Sequence, residues 1–343
     1  MPALVTPPPV DDSQAMDLAV SLAARGPAYG PNPRVGAVIT DSAGRVLGKG
    51  FHRGAGTPHA EASARADALT TGTDVRGATA YVSLEPCNHT GRTGPCSAAL
   101  ADAGIARVVY AVEDPNPRAV GGAQFLVARG IAVVHTPHPR ADAVNRKWLT
   151  AMRHGRPYVI SKWAQTLDGK IAAADGTSFW ITGPEAREHA HEARSRTDAI
   201  VVGTGTVLFD DPELSARPTS VPDPHQPLRA VMGNRSTAGA RVWRDENAIA
   251  LCTHDPAAAL ATLWEREVRT VIVEGGSAIH TAFLAAGLVD ELNVYIAPVL
   301  LGAGTQAIGD VGIGTMADAL RGQDVTLETL GVDCLVTAHL PKG

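Results

Sequence analysis

Cysteine is scarce: four thiols, at positions 87, 96, 252 and 334, are too few for the disulfide framework of a small secreted domain. Aromatic residues make up only 4% of the chain, the net charge is −5, and the arginines are dispersed. That balance argues against a protein that neutralises a phosphate backbone with clustered cations or stacks bases on an aromatic face. No apolar run approaches the ~20 residues that span a bilayer, and the N-terminus has neither a basic start nor an apolar signal-like stretch. We therefore expect a cytoplasmic protein without membrane or nucleic-acid partners. What is present describes a globular chain, 45% apolar and 19% charged. Its 343 residues exceed what one core usually serves, so two domains of ~150–190 residues are expected.

The pattern along the chain supports that division. Residues 1–10 include three consecutive prolines and read as a flexible tail. A helix is predicted over 11–24, capped by Asp12 or Ser13 and stopped by Gly26. A hairpin of 35–41 and 46–51 follows, then a helix at 58–69, a strand at 80–84, a helix at 96–103 and a strand at 107–112. The segments 124–129 and 131–135 continue the alternation, which fits a layered α/β domain over 11–153. A Gly and Pro pair at 154–157 marks the boundary. The second domain, 157–343, opens on a strand at 158–164. Further strands are read at 199–202, 229–232, 248–252, 270–273 and 292–296, helices near 184–196, 256–267 and 277–286, two strands within 325–339, and a surface loop at 218–227. There is no internal repeat.

His59, Glu61, Cys87 and Cys96 carry the clearest chemistry. One imidazole and two thiolates suit zinc, and three protein ligands leave the fourth tetrahedral position for water, the mark of a catalytic rather than a structural site. Glu61, two residues after the histidine, is the candidate general acid and base that moves protons between that water, a ring nitrogen and departing ammonia. Zinc deaminases show His-x-Glu followed by Pro-Cys-x-x-Cys; here eight residues, 88–95, separate the cysteines. Two alternatives stay open on the residues alone: a closed zinc site with His89 as fourth ligand, or two unconnected buried cysteines.

The long form, Glu85-Pro-Cys-Asn-His-Thr-Gly-Arg-Thr-Gly-Pro-Cys96, together with Asn32-Pro-Arg-Val-Gly36 upstream, resembles the deaminase domain of the bifunctional riboflavin-biosynthesis deaminase/reductase family. The resemblance implies a cytidine-deaminase-like three-layer α/β/α domain in which Asn32 helps to hold the pyrimidine. His52, His89 and Arg92 become candidates for substrate or phosphate contact. Gly94 stands where that family commonly has proline.

In the second half, Lys162-Trp-Ala-Gln-Thr-Leu-Asp-Gly-Lys170 leaves a strand and turns at Asp168, and Ser178-Phe-Trp-Ile-Thr182 leads into a helix. Two buried strands each run into a glycine turn, at Val202-Gly-Thr-Gly-Thr206 and at Val273-Glu-Gly-Gly-Ser277. Free backbone amides at such turns favour anions. No Gly-x-Gly-x-x-Gly opens the domain, which disfavours an ordinary dinucleotide-binding Rossmann fold. In this order the segments are similar to the reductase domain of the same family, a dihydrofolate-reductase-like α/β domain that uses NADPH. The resemblance implies NADPH contacts at Ala164, Trp180, Thr206, Asp210, Gly276, Ser277, Ala278, Ile279, His280, Thr281 and Ala282. For the substrate it points to Ser178, Arg194, Leu214, Arg217 and Glu274, with the two arginines suited to a ribose 5-phosphate. Gly233-Asn234 replaces an Asp-Ser frequent in the family.

The expected activity is thus twofold. Zinc-dependent hydrolytic deamination of a small pyrimidine ribose-phosphate comes first, and NADPH reduction of the ribosyl side chain second. A homo-oligomer, with a dimer favoured, is the expected assembly. Two other readings compete: a deaminase acting on bases in nucleic acid, and a non-catalytic protein with structural zinc.

Overall fold

The computed structural model describes residues 8–89 and 94–341, and the chain divides into two units between His154 and Gly155. In the first, Asp11 and Gln14 each bond the other's backbone N–H. This capping box starts α1 at Asp12–Ala23 and places the cap one residue before the predicted Asp12 or Ser13. The chain continues through β1 (Gly36–Thr40), β2 (Val46–Phe51), α2 (Ala60–Thr70), β3 (Thr79–Val82), α3 (Cys96–Asp102), β4 (Arg107–Tyr110), α4 (Gly122–Ala128), β5 (Ala132–His135) and α5 (Pro139–His154).

The five strands form one sheet in the order β2-β1-β3-β4-β5. The pairs β2/β1 and β1/β3 are antiparallel, while β3/β4 and β4/β5 are parallel. Strand alternation divides the apolar residues between two layers. Val38, Tyr81 and Val109 pack with Met16, Ala19 and Val20 of α1 and Trp148 and Leu149 of α5. On the opposite face, Ala37, Ile39, Val82 and Val108 pack with Ala60, Ala64 and Ala68 of α2 and with Leu100 and Leu126. The result is a three-layer α/β/α unit.

Glycine sets how closely α2 approaches. A Cβ on Gly48 would lie 2.2 Å from the Ala64 carbonyl oxygen, and one on Gly50 would lie 2.5 Å from the Ala64 nitrogen. With alanines facing two side-chain-free positions, helix and strand meet backbone to backbone. The N-terminal end of α2 is thereby fixed on the sheet.

The second unit runs β6 (Tyr158–Thr166), β7 (Lys170–Ala172), α6 (Pro184–Ser195), β8 (Ala199–Gly203), α7 (Thr204–Asp210), β9 (Leu228–Met232), β10 (Ala248–Leu251), α8 (Pro256–Glu265), β11 (Thr270–Val273), α9 (Ser277–Ala285), β12 (Glu291–Ala297), β13 (Thr305–Gln306), β14 (Gln323–Leu330) and β15 (Asp333–His339). Its main sheet has eight strands in the order β10-β9-β8-β11-β6-β12-β15-β14. The first six are mutually parallel, and β15 and β14 close the sheet as an antiparallel hairpin. One face packs Val159, Val201, Val271 and Val273 against Leu260 and Leu263 of α8 and Phe283 of α9. The other carries Val207 of α7 with Ile200, Val202 and Val231, and Ala186 of α6 with Tyr295 and Leu335. A parallel sheet covered on both faces needs such near-continuous apolar strands. Between Asp210 and Leu228 the chain forms no helix or strand. Among the described residues, no helix is long and apolar enough to cross a membrane.

Candidate active sites

In the first unit the N-terminus of α2 faces the turn after β3 and the start of α3. His59 is the residue before α2, Glu61 lies in its first turn, and Cys96 is the first residue of α3. His59 Nδ1 lies 3.2 Å from Cys96 Sγ and 3.6 Å from Cys87 Sγ. Zinc bonds of about 2.0–2.3 Å in a tetrahedron put ligand atoms ~3.5 Å apart, so these three side chains already have the separations of a zinc site. Among the described residues, no fourth His, Cys, Asp or Glu joins the group. His89 does not join the group, and three protein ligands would leave a zinc ion a fourth position for water.

Glu61 is 5% exposed. Burial, and then the charge of Cys87, push its carboxyl pKa up. A raised carboxyl pKa makes the group more basic, which suits a residue that must take up a proton as well as give one. Without metal, the coupled thiols divide: the hydrogen bond from Cys96 favours the thiolate on Cys87, and the same bond holds the Cys96 thiol protonated. His59 is raised by its bond to Cys87.

Asn32 is brought to this site through buried His52. The His52 ring meets the His59 ring edge-on, with centroids 5.2 Å apart. His52 Nδ1 lies 3.2 Å from the Pro58 carbonyl, and Nε2 lies 2.8 Å from Asn32 Nδ2. A carbonyl only accepts, so Nδ1 carries the proton and Nε2 accepts from the Asn32 amide. Burial holds the His52 pKa below its ordinary value and keeps the ring neutral. The loop is held in turn by α5: Asn145 bonds both the N–H and the carbonyl of Arg34 at 2.8 Å, and Trp148 donates to the Pro31 carbonyl at 2.9 Å.

In the second unit the carboxyl ends of the parallel strands share one edge. Glu274, directly after β11, accepts two bonds from Arg194 of α6, Nε to Oε1 at 2.8 Å and Nη2 to Oε2 at 2.7 Å. Lys162 of β6 lies 3.5 Å from the same carboxylate. Burial works to raise the Glu274 pKa, but the two cations hold it well below the ordinary range. Burial lowers Lys162 against the pull of Glu274. Arg194 also donates to the Ser215 carbonyl at 3.0 Å, and Leu214 beside it is buried at φ 51°. The two glycine turns meet: the Gly276 N–H donates to Thr206 Oγ1 at 3.3 Å. Beyond Gly276 a Cβ would find nothing within 4 Å, so this backbone is open to a ligand.

Family comparison divides the chain in the same way. The model for the cytidine and deoxycytidylate deaminase zinc-binding region matches residues 9–112, and that for the RibD C-terminal domain matches residues 157–336. The riboflavin biosynthesis protein RibD of Corynebacterium ammoniagenes is 46% identical over 300 residues, covering 84% of this chain and 86% of its own. The chain belongs to the RibD family. The solved RibD of Acinetobacter baumannii, form 1, superposes with a TM-score of 0.87 at 35% identity, covering 95% of this chain and 98% of its own. A diaminohydroxyphosphoribosylaminopyrimidine deaminase/5-amino-6-(5-phosphoribosylamino)uracil reductase from Thermotoga maritima superposes with a TM-score of 0.83 at 32% identity, covering 95% and 98%.

Against this RibD frame, the candidate residues fall into distinct groups. His59, Glu61, Cys87, Cys96, His52 and Asn32 are together, whereas Arg92 lies outside the described residues. Arg194 and Glu274 are partners of each other, so the fork of Arg194 is already occupied by protein. Glu274 does not cap α9; Gly276 holds that position without a side-chain bond. Arg217 is exposed and pairs with Glu213 at 3.0 Å. Trp180 is 70% exposed with the Arg187 guanidinium 4.8 Å from its ring, and Ser178 and Ala164 are half-buried. Asp210 has a buried Oδ1 without a hydrogen bond, and burial raises its pKa. Along α9, Ile279 and His280 point into the core, at 7% and 0% exposure, while Ser277, Ala278, Thr281 and Ala282 are half-buried or exposed. Asp168 staples a loop, accepting from Thr166 Oγ1 at 2.6 Å and the Gly302 N–H at 2.6 Å.

Sequence reasoning missed several members. Lys162 opened a motif, but nothing local showed that it would face Glu274. Asp114 is buried after β4, its carboxyl pushed up to about 7 by burial and by the charges of Glu85 and Cys87. Its only sequence signal was Asp-Pro-Asn-Pro at a strand end. The half-buried Asn88, which accepts from Ser97 at 2.8 Å, was read only as part of the inserted loop.

Proposed function

We infer that this chain performs two consecutive steps of riboflavin biosynthesis: zinc-dependent deamination of 2,5-diamino-6-(5-phosphoribosylamino)pyrimidin-4-one, then NADPH reduction of 5-amino-6-(5-phosphoribosylamino)uracil to the ribitylamino product. The observation that carries the first step is the three-ligand group His59, Cys87 and Cys96, open on one side, with buried Glu61 against it. Zinc, when bound there, activates water at neutral pH. Glu61 would carry the two protons of the attacking water in turn, the first to the ring nitrogen and the second to the amine, which leaves as ammonia. Asn32, whose amide nitrogen is engaged by His52, presents its carbonyl oxygen to a pyrimidine donor. NADPH supplies the hydride for the second step. Thr206, Asp210 and the stretch from Gly276 to Ala282 hold the cofactor, with Ala164 and Trp180 beside it. Ser178, Arg194, Leu214, Arg217 and Glu274 hold the substrate. In this arrangement Glu274 and Arg194 act as a fixed pair, and Arg217 exchanges Glu213 for the ribose phosphate.

The test is a coupled assay with Glu61→Gln. Zinc content should stay at that of the parent while deamination falls about 10²–10⁴-fold, and reduction of supplied deaminated product should continue. Undiminished deamination with zinc retained would sink the mechanism. If the parent consumes no NADPH when given the deaminated pyrimidine, the reductase assignment fails. A homo-oligomer, dimer favoured, is part of the same reading. It is supported by edge strand β14, where Val325 and Leu327 are 55% and 71% exposed, and light scattering measures it directly. The cytoplasmic placement rests on thiols that the zinc site needs reduced, and cell fractionation tests it.

A further inference from the structure

Arg235 is a basic side chain of the second unit that the two reactions above leave unused. It follows the end of β9, is exposed, and forms no ion pair with any acidic group among the described residues. Its guanidinium is nonetheless placed. Nε lies 3.5 Å from Thr204 Oγ1, and a Cβ on Gly205 would lie 2.9 Å from Nη2. Gly233 behind it, at φ 122°, has room for no side chain, because a Cβ would lie 2.8 Å from Thr204 Oγ1. The missing side chain of Gly205 therefore leaves space for the arginine at the end of β8.

The location follows from strand order. β10, β9, β8 and β11 are parallel neighbours, and their registers pair Met232 with Gly203 and with Leu251, so their carboxyl ends form one row. The turn that offers open backbone at Gly276 follows β11, and the buried group of Glu274, Arg194 and Lys162 lies on the β6 side of it. A dinucleotide whose reacting end is on that side extends its adenosine the other way, over β8 to β9, about 10 Å at ~4.8 Å per strand. There it meets Arg235. His254, exposed at the end of β10, comes within 3.5 Å of the Cβ position of Gly233. No acidic residue occurs from 233 to 240, and an acid at such a strand end is the group that would take the free 2′-hydroxyl of NADH.

We propose that Arg235 selects NADPH over NADH by binding the 2′-phosphate of the adenosine ribose, with His254 as its neighbour at that phosphate. The proposal rests on the NADPH reading given above. A guanidinium without an internal carboxylate has its donors free for a phosphate dianion, and a charge-assisted contact of this kind corresponds to a 10- to 100-fold change in affinity, to order of magnitude.

Isothermal titration of the full chain with NADPH, NADH and adenosine 2′,5′-bisphosphate tests this in the parent and in Arg235→Gln. The variant should bind NADPH and the bisphosphate about 10- to 100-fold more weakly, and its NADH affinity should stay within about twofold of the parent's. Unchanged NADPH affinity in the variant would overturn the proposal, and so would an equal loss for NADPH and NADH. Parent protein that binds neither NADPH nor the bisphosphate would instead overturn the NADPH reading on which the proposal stands.

Discussion

His280 shows what one side chain inside the second unit does to the pH response. It is wholly buried and bonds Ser161 Oγ through Nδ1 at 2.8 Å. Burial, reinforced by the charge of Lys162, lowers its pKa to about 4. In the unfolded chain it titrates near 6.5. The folded state therefore refuses a proton that the unfolded state accepts between those values. Stability is complete above pH ~6.5 and is lost as pH falls toward ~4, at up to about 1.4 kcal/mol per unit. Between pH 6.5 and 5 the parent should lose about 1.5 kcal/mol through this residue. Urea denaturation of the second unit at both pH values checks this against His280→Asn. An equal pH response in parent and variant would refute it. Local pattern does not disclose such a residue. The family resemblance put His280 among cofactor contacts, but helical period turns it into the core beside Ser161, and sequence spacing gives no sign that β6 carries a hydroxyl opposite it. The group at 59, 87 and 96, which could hold a metal, was legible for the opposite reason, since metal chemistry restricts the residue types and needs no knowledge of packing.

At the scale of elements, helix α2 presents His59 and Glu61 at its N-terminus, and β2 sets where that end lies. Gly50→Ala places a methyl 2.5 Å from the Ala64 nitrogen and 2.6 Å from Ser63 Cβ, and backbone cannot give way as a flexible side chain does. The helix must lift off the strand, a strain of about 1–3 kcal/mol, and His59 and Glu61 move with it. Zinc affinity, read by competition with a chromophoric chelator, should fall ~10-fold or more, and deamination with it. Reduction of supplied deaminated product should be unchanged. Parent-like zinc affinity would show that α2 is positioned by something other than this contact. Strands and helices with a clear apolar period were legible within a residue or two, such as 270–273 and 199–202. The elements missed lack a period of their own. β7 and β13 are three and two residues long. α7, Thr-Gly-Thr-Val-Leu-Phe-Asp, has poor helix formers at its start and is held by burial of Val207. Nor does local sequence disclose what α5 does, because its work is done by Asn145 and Trp148 on a loop more than a hundred residues away.

Taken as a whole molecule, the chain joins two units with different demands: one contains a metal-ligand group, and the other shows none among its described residues. Two thiols and an imidazole within 4.8 Å of one another tie α2, α3 and the turn after β3 together when metal is bound, so zinc is a ligand of the folded first unit. Binding to the native state alone stabilises it by RT ln(1 + [L]/Kd), about 4 kcal/mol at a thousandfold excess over Kd. The second unit has no corresponding term. Calorimetry with and without a strong chelator should therefore show one transition moving down by several degrees or more as zinc is withdrawn and the other keeping its midpoint. The activities should separate in the same titration: deamination disappears with the metal, while consumption of NADPH on supplied deaminated pyrimidine continues. A single transition that shifts as a whole would mean that the two units unfold together. Loss of both activities on chelation would mean that the metal supports the reductase as well, which the placement of its ligands in the first unit does not predict.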